Sequence, residues 1–377
     1  MSDLNQYRDS IDNIDQQLMK LFEKRMHLAK EVVEFKKKQG LAIYQPEREK
    51  QVIEKNIERL QDSTLKIYAK DLLITLMELS KDFQNEQLDT SSFKKLISTT
   101  KLTTKTKVGF QGVEGSFSQE AMIKYFNQDI QSYNYTTFEA VFKSLINQNI
   151  DYAILPIENS STGAINDVLD LVNQYGVFIV GEIYLPIRQH LLGLKDSKIN
   201  DLNEVFSHPQ GLYQTSKFLK QYPDIKQTSY NNTAMAAKYI YELNDKTKGA
   251  IASLKAAELY DLEILQKDIQ NTQSNHTRFI ILSRELNNKS TNNKLSILFT
   301  LEHHSGTLSN ILRIIARHGL NMVNIQSRPV IETPWEYYFY VDLMGNLEDQ
   351  NVLKALSIIK KNCVSLRLLG GYKHEEK

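Results

Sequence analysis

The sequence predicts three parts of different fold class: an all-α unit of three helices, an α/β unit of two lobes, and an α+β unit of ferredoxin-like order. Three observations carry this reading. Apolar residues step by three and four through Leu4, Tyr7, Ile11, Ile14, Leu18, Leu21, Leu28, Val32 and Phe35, with no Gly or Pro as far as Gln39, which is a sustained helical seam. From Lys107 short apolar strands alternate with helical stretches, as in an α/β protein. From Lys294 the order is strand, helix, two strands, helix, strand, which marks the ferredoxin-like arrangement. A chain of 377 residues has room for two or three domains.

Composition places the boundaries. Residues 1–88 form the helical unit, 107–284 the two-lobed unit and 294–372 the C-terminal unit, while 89–106 is polar, β-branched and lysine-rich. That stretch reads as a linker with one helical turn around Phe93 to Ile97. A formal net charge of +1 with interspersed signs argues against nucleic acid as a partner. The single cysteine, Cys363, excludes an internal disulfide framework. Eight scattered histidines without ligand spacing predict no metal site, and no cofactor is expected. The polar Met1 to Asn5 and the lack of a long apolar stretch predict a cytoplasmic protein with no membrane contact.

In the first helix the seam position after Leu21 holds Arg25. Desolvating a guanidinium there costs several kcal/mol unless an anion meets it. No Asp or Glu shares the seam, so the Arg snorkels outward, pairs with a carboxylate of a neighbouring helix, or meets an anionic ligand. Lys36 projects from nearly the same face roughly 16 Å further on, while Arg8 lies about 100° around and roughly 25 Å away. The three cations converge only if a second copy packs antiparallel. This predicts an intertwined homodimer in which Arg8 of one subunit completes the site of the other. Pro46 suits the first turn of a second helix, with Gln45 at its entry and Arg48 and Glu49 following. Asp62-Ser63-Thr64 opens a third, whose apolar face is Leu65, Tyr68, Leu72, Leu76, Leu79 and Phe83; on it Ser80 and Gln84 stand one turn apart.

Arg8, Arg25, Lys36, Arg48, Glu49, Ser80 and Gln84 at these spacings resemble the all-helical class of chorismate mutase. The resemblance implies that Arg8, Arg25 and Arg48 bind the two carboxylates of chorismate, that Lys36 and Gln84 hydrogen-bond the ether oxygen, and that Glu49 receives a substrate hydroxyl. A pericyclic rearrangement to prephenate needs no nucleophile; it needs a chair-like conformer held and charge on the ether oxygen stabilised. Gln45 stands where some members carry an acidic residue.

In the second unit Lys107 to Phe110 is a strand, Gly112 to Ser116 a turn, and Ser118 to about Asn127 a helix. Thr137 to Asn147 is helical, Ile150 to Leu155 a buried strand, and Gly163 to Tyr175 helical. A mostly parallel sheet is expected. Ligands bind off the carboxyl ends of such strands, where the loops Gln111 to Ser118 and Pro156 to Gly163 fall. A second run follows Pro186, with Val205-Phe206-Ser207-His208-Pro209-Gln210, a helix holding Tyr213, Gln214 and Phe218, Asn232-Thr233 capping a helix to Leu243, and the strands Gly249 to Ala252 and Ile280 to Leu282. Two lobes joined by crossings of the chain imply a cleft.

Gly112 to Ser118, Pro156 to Asn166, Ser207 to Gln214 and Thr277-Arg278-Phe279 resemble, in order and spacing, the motifs of prephenate dehydratase. The resemblance implies a two-lobed enzyme that takes water and carbon dioxide from prephenate to give phenylpyruvate, with Asn159, Ser207, Gln214 and Thr277 as its functional residues. Thr277 would hydrogen-bond the leaving hydroxyl; as an acid it is too weak to be matched to ambient pH. Glu158 and His208 are the titratable neighbours, and Arg188 and Arg278 are candidates for binding carboxylates.

In the C-terminal unit His304-Ser305-Gly306-Thr307-Leu308, Asn321 and Gln326-Ser327-Arg328-Pro329 resemble the amino-acid-binding ACT domain. The resemblance implies pairing with a second copy and binding of L-phenylalanine as feedback inhibitor, through Gly306, Thr307, Leu308, Asn321, Gln326, Ser327 and Arg328. Ser305 and Thr307 replace a commoner Pro and Ala, and Gln326 a usual Glu. Two other readings stay open on sequence alone: a dehydratase whose helical unit only dimerises, and a non-catalytic two-lobed sensor. Keeping both Thr277-Arg278-Phe279 and the Arg8, Arg25, Lys36, Gln84 set argues against the sensor.

Overall fold

The computed structural model describes residues 2–39, 46–85, 97–98, 106–127, 130–330, 333 and 335–375. The chain forms two compact units, Met1–Thr90 and Ser91–Lys377, each taken by itself.

The first unit is three helices, α1 (Ser2–Lys38), α2 (Pro46–Ile57) and α3 (Lys66–Asn85). The uninterrupted first helix and the start at Pro46 are as the sequence predicts. Asp62 accepts from the Thr64 backbone N–H at 2.8 Å and closes a 3-10 turn over Ser63–Leu65 ahead of α3. Among the described residues of this unit only Ser80 is buried. Every apolar seam residue of α1 is exposed, with Tyr7 at 69% and Phe35 at 61%. The predicted apolar face of α3 divides: Leu76, Leu79 and Phe83 are partly covered, whereas Leu65, Tyr68 and Leu72 are exposed.

The second unit has seventeen strands among the described residues: β1 (Ile97–Ser98), β2 (Lys107–Gln111), β3 (Gln131–Tyr135), β4 (Tyr152–Asn159), β5 (Gly163–Ala164), β6 (Phe178–Pro186), β7 (His190–Gly193), β8 (Glu204–Ser207), β9 (Lys226–Ser229), β10 (Lys248–Ala252), β11 (Glu263–Gln266), β12 (His276–Ser283), β13 (Leu286–Asn287), β14 (Lys294–Thr300), β15 (Asn321–Pro329), β16 (Tyr337–Met344) and β17 (Ser365–Tyr372). The first lobe orders its strands β3-β2-β4-β12-β6 and the second β9-β8-β10-β7-β11. In each, four of these strands point one way and one, β12 in the first and β7 in the second, runs against both its neighbours, so two of the four pairings are parallel and two antiparallel. The expected mostly parallel sheet is therefore mixed. The physical reason is the double crossing: β12 returns from the second lobe into the middle of the first sheet, and β7 enters the second sheet the same way, each against its neighbours.

Several boundaries also move. β4 runs past Leu155 to Asn159, because antiparallel pairing with β12 extends through Glu158 and Asn159. The helix expected from Gly163 starts at Asn166, since Gly163 and Ala164 pair back onto β4. Ile97 belongs to a short parallel pairing with β13 rather than to a helical turn; Phe93 to Leu96 lie outside the described residues.

The C-terminal sheet has the order β15-β16-β14-β17, all antiparallel, with helices Thr307–Arg317 and Gln350–Lys361. Pairing of Ser296 with Asp342 and of Leu298 with Tyr340 puts these side chains on one face of that sheet. That face packs on the first lobe: Leu298, Tyr338, Tyr340, Leu369 and Tyr372 share one core with Val141, Phe142, Leu155, Ile179 and Ile280. Contact is close enough that a Cβ on Gly370 would collide with the Ile179 carbonyl oxygen. Gly370→Ala is expected to destabilise this unit by about 1–3 kcal/mol, the usual cost of overpacking; an unchanged thermal midpoint would show that β17 and β6 can separate freely.

Candidate active sites

In the helical unit Arg25 is the centre of what the fold assembles. Its Nη1 donates to the Leu76 carbonyl at 2.9 Å and to the Ser80 hydroxyl, and Ser80 in turn donates to Leu76 O at 2.7 Å. Burial pushes its pKa down. Among the described residues the charge is met by neutral oxygens only, so an anion would find it uncompensated. Glu49 lies against Lys81, its two oxygens 2.7 and 2.9 Å from Nζ. Arg8 and Arg48 are exposed and Lys36 is half-buried. Gln45 and the side chain of Gln84 lie outside the described residues.

The second site is a cleft of about 430 Å³ between the two lobes. Asn159, at the carboxyl end of β4, is directly opposite Thr277 on β12. Its Oδ1 accepts from the backbone N–H groups of Ser161 and Thr162 at 2.9 and 3.2 Å, which can only donate, so the orientation of the amide is forced. The Nδ2 then donates to Thr277 Oγ1 and to Asn275 Oδ1, both at 2.9 Å. With its oxygen accepting from Asn159, Thr277 keeps its own hydroxyl hydrogen available to donate, at a position that lines the cleft.

Helices starting at Phe117 and Thr233 open onto the cleft, capped by Ser116 and Asn232. Gly115 has a φ of +82°, and a Cβ there would lie 3.1 Å from Ala256 Cα. Only glycine suits that turn, which lets its carbonyl accept from Ser253 Oγ at 2.9 Å. His208 caps the short helix after it, its Nδ1 accepting from Gln210 N at 3.2 Å, and Gln210 Nε2 reaches across the cleft to Thr162 Oγ1 at 3.0 Å.

The predicted residues divide. Asn159, Thr277, His208 and Gln214 line the cleft. Ser207 does not; fully buried, it donates to Ile251 O at 2.7 Å, and a Cβ on Gly211 would press against it. Glu158 sits on the opposite face of β4, 3.7 Å from Arg278. Neither arginine binds a carboxylate in the cleft: Arg188 pairs with Asp268 on the surface, and Arg278 is buried on the far side of the sheet. Among the described residues no Lys or Arg lines the cleft. Sequence reasoning missed Gln189, which lines the cleft from the lobe crossing with its Oε1 buried and unpaired among the described residues. The crossing segments were the available signal, because both lobes must share them.

In the C-terminal unit Gly306 has a φ of +90° at the start of helix Thr307–Arg317, and Thr307 donates to His304 O at 3.0 Å. Leu308 lies in that first turn. Alternation along β15 separates the remaining effector candidates: Asn321 and Ser327 are exposed, whereas Gln326 and Arg328 turn to the other side. Arg328 is a fork on Asp170, at 2.8 and 3.2 Å, and holds that carboxyl below its usual range against the opposing effect of burial.

A cleft lined by neutral donors, a helical unit with a desolvated guanidinium and a ferredoxin-like unit together define a multidomain enzyme for small anionic substrates. Residues 7–85 match the family described as chorismate mutase type II, 108–287 prephenate dehydratase and 295–360 the ACT domain. A protein of Buchnera aphidicola (subsp. Acyrthosiphon pisum) described as bifunctional chorismate mutase/prephenate dehydratase is 35% identical over 376 residues, covering 98% of this chain and 96% of that one. The chain belongs to this bifunctional family. The structure of prephenate dehydratase from Arthrobacter aurescens in complex with L-Phe matches 71% of this chain and 90% of that one, with 26% identity and a TM-score of 0.66. GqqA, described as a quorum quenching acylase, matches equally well at 27% identity and a TM-score of 0.66, over 71% of this chain and 98% of that one. The activity is therefore argued from the cleft and the family, since fold alone does not carry it.

Two expectations follow from the geometry. An aspartate at 159 cannot donate, so in Asn159→Asp the Thr277 hydroxyl would turn to it and leave the cleft; dehydratase kcat should fall roughly 10²- to 10³-fold, the loss typical of one positioned donor, and a fall of less than fivefold would refute the orientation. Burial pushes the His208 pKa below its ordinary 6.5. The fold favours the neutral ring, so its contribution is complete above about 6.5 and is lost as pH falls from there towards the lowered value. The folded ring stays neutral until pH falls to that lowered value, so dehydratase KM should rise only as pH drops through it, and more in the native chain than in His208→Asn, whose cap does not titrate.

Proposed function

We propose that the helical unit rearranges chorismate to prephenate and that the cleft converts prephenate to phenylpyruvate, with L-phenylalanine as inhibitor acting on the ACT domain. The Asn159–Thr277 pair carries the second half of this reading. In the cleft the bond from the ring to its hydroxyl breaks as the ring carboxylate leaves. The electron pair of the broken carbon–carbon bond completes the aromatic ring, and the departing oxygen takes a proton to become water. Thr277 donates a hydrogen bond to that oxygen where charge develops.

The absence of Lys and Arg from the described cleft lining suits this chemistry. A lysine or arginine on the ring carboxylate would stabilise the starting anion more than the neutral carbon dioxide it becomes, and so raise the barrier. Amide and hydroxyl donors and the helix starts at Phe117 and Thr233 can hold the other carboxylate without that penalty. Gln214 and Gln189 are further lining groups; Ser207 acts beneath the floor.

In the helical unit Arg25 binds a carboxylate of chorismate, Lys36 and Gln84 meet the ether oxygen, and Arg8 comes from a second copy. The exposed seam of α1 is far more apolar surface than a lone chain keeps in water, which favours a homodimer. Such a metabolic enzyme would work in the cytoplasm. Sedimentation at micromolar concentration should give a dimer or larger; a monomer alone would refute the shared site.

Chorismate consumption and phenylpyruvate formation, followed in one purified sample with and without phenylalanine, test the whole reading. Both should proceed, and phenylalanine should suppress the second. Thr277→Ala should remove most dehydratase activity and leave mutase activity; equal loss of both would show that the two sites are not separate.

A further inference from the structure

Consecutive residues of a strand face opposite sides of a sheet. On β12 this puts Thr277 in the cleft and Arg278 against the regulatory sheet. Arg278 is 4% exposed, and Glu182 and Asp342 are fully buried. The guanidinium donates from Nε to Glu182 at 2.8 Å, from Nη1 to Asp342 at 2.6 Å and from Nη2 to the Tyr372 hydroxyl at 3.0 Å. Lys294 completes the cluster at 2.8 Å from Glu182. Two buried charges of each sign thus span the contact, Arg278 and Glu182 from the dehydratase lobe and Lys294 and Asp342 from the regulatory sheet, with the more exposed Glu158 3.7 Å from Arg278. Burial opposes the charged forms, yet the neighbouring charges hold Asp342 below its usual range and Arg278 above its own.

Two more observations connect this cluster to both sites. The pairing of β12 with β4 slips at Arg278/Phe279. The extra residue there is Ile157 of β4, while β12 keeps an unbroken ladder with β6 through Thr277 and Arg278. Thr277 and Arg278 are joined by one peptide beside this interruption, so a shift of Arg278 bears directly on Thr277. On the regulatory side Asn324 donates to Asp342 at 3.4 Å, and Gln326 donates to Asn324 at 3.4 Å. Both lie on β15 with the effector candidates. The same strand holds the first lobe a second time through Arg328 and Asp170.

We propose that Arg278 is a positioning residue for the dehydration step, and that its pairing with Asp342 is the joint through which the regulatory domain acts on Thr277. The inference rests on the roles of Thr277 and of phenylalanine given above. A ligand that moves β15 shifts Asp342, Asp342 shifts Arg278, and β12 carries Thr277 out of line with Asn159. Spatial connection alone does not establish coupling, so the test measures coupling itself.

Asp342→Asn keeps the shape and removes the charge. Its dehydratase kcat without phenylalanine should fall tenfold or more with KM within about twofold, and phenylalanine should no longer change the rate although calorimetry still detects its binding. Mutase activity in the same sample and an intact melting transition report folded protein. Asn324→Ala leaves the charges in place; it should keep kcat within about twofold of the native chain and raise the half-inhibiting phenylalanine concentration at least fivefold. A merely structural cluster would lower the melting temperature without changing the phenylalanine response per active site. If both variants respond to phenylalanine as the native chain does, with the same kcat, the joint is overturned while the assigned roles stand. A native chain that dehydrates prephenate but ignores phenylalanine overturns the effector role, and the regulatory half of the joint with it.

Discussion

The pairing of β12 in the middle of the first sheet is the constraint on which the rest depends. Because β12 arrives from the second lobe, it ties the two lobes together, and because side chains alternate along it, neighbouring residues serve different masters. Thr277 meets Asn159 in the cleft, while Arg278 meets Glu182 and Asp342 behind it. The opposing strand repeats the division: Asn159 faces the cleft and Glu158 faces Arg278. Catalytic and regulatory contacts are thus separated by the thickness of one sheet.

A buried arginine with two carboxylates gives little net stability over an apolar core of the same volume. What it fixes is geometry, since a fork with two anionic partners and a tyrosine hydroxyl tolerates few arrangements. The regulatory sheet therefore sits on the catalytic lobe in a defined register, over a shared apolar core that supplies the bulk of the burial. Among the described residues the cleft lining carries no such charge. Its donors are amides, hydroxyls and helix starts, a set that can hold an anion while allowing one of its carboxylates to leave as a neutral molecule.

The helical unit uses the opposite strategy. Its site is cationic, its guanidinium is met only by neutral oxygens among the described residues, and its apolar seam faces outward. A unit of three helices with one buried residue, Ser80, has no core of its own among the described residues. The proposed second copy would supply core and ligand-binding cation together, and folding and activity of this part would then depend on association.

Local pattern determined a great deal here. The 3.6-residue period of α1, Pro46 at a helix start, and the βαββαβ order were legible because each is a repeat or a terminus signal within one short segment. So was the misfit of Arg25, since an interrupted seam shows in one dimension. The mixed sheets were not legible: parallel or antiparallel pairing depends on where the chain returns after a crossing, and no segment encodes that alone. The same reason hid the part played by Arg278. Glu182, Lys294 and Asp342 are ordinary charged residues at distant positions, and only the stacking of two sheets makes them partners. Ser207, read as functional beside His208, is carried beneath the floor by the end of β8. Thr277 itself was visible as a motif, but its role as a donor depends on Asn159, whose amide is oriented by two backbone N–H groups that only the folded loop brings within reach.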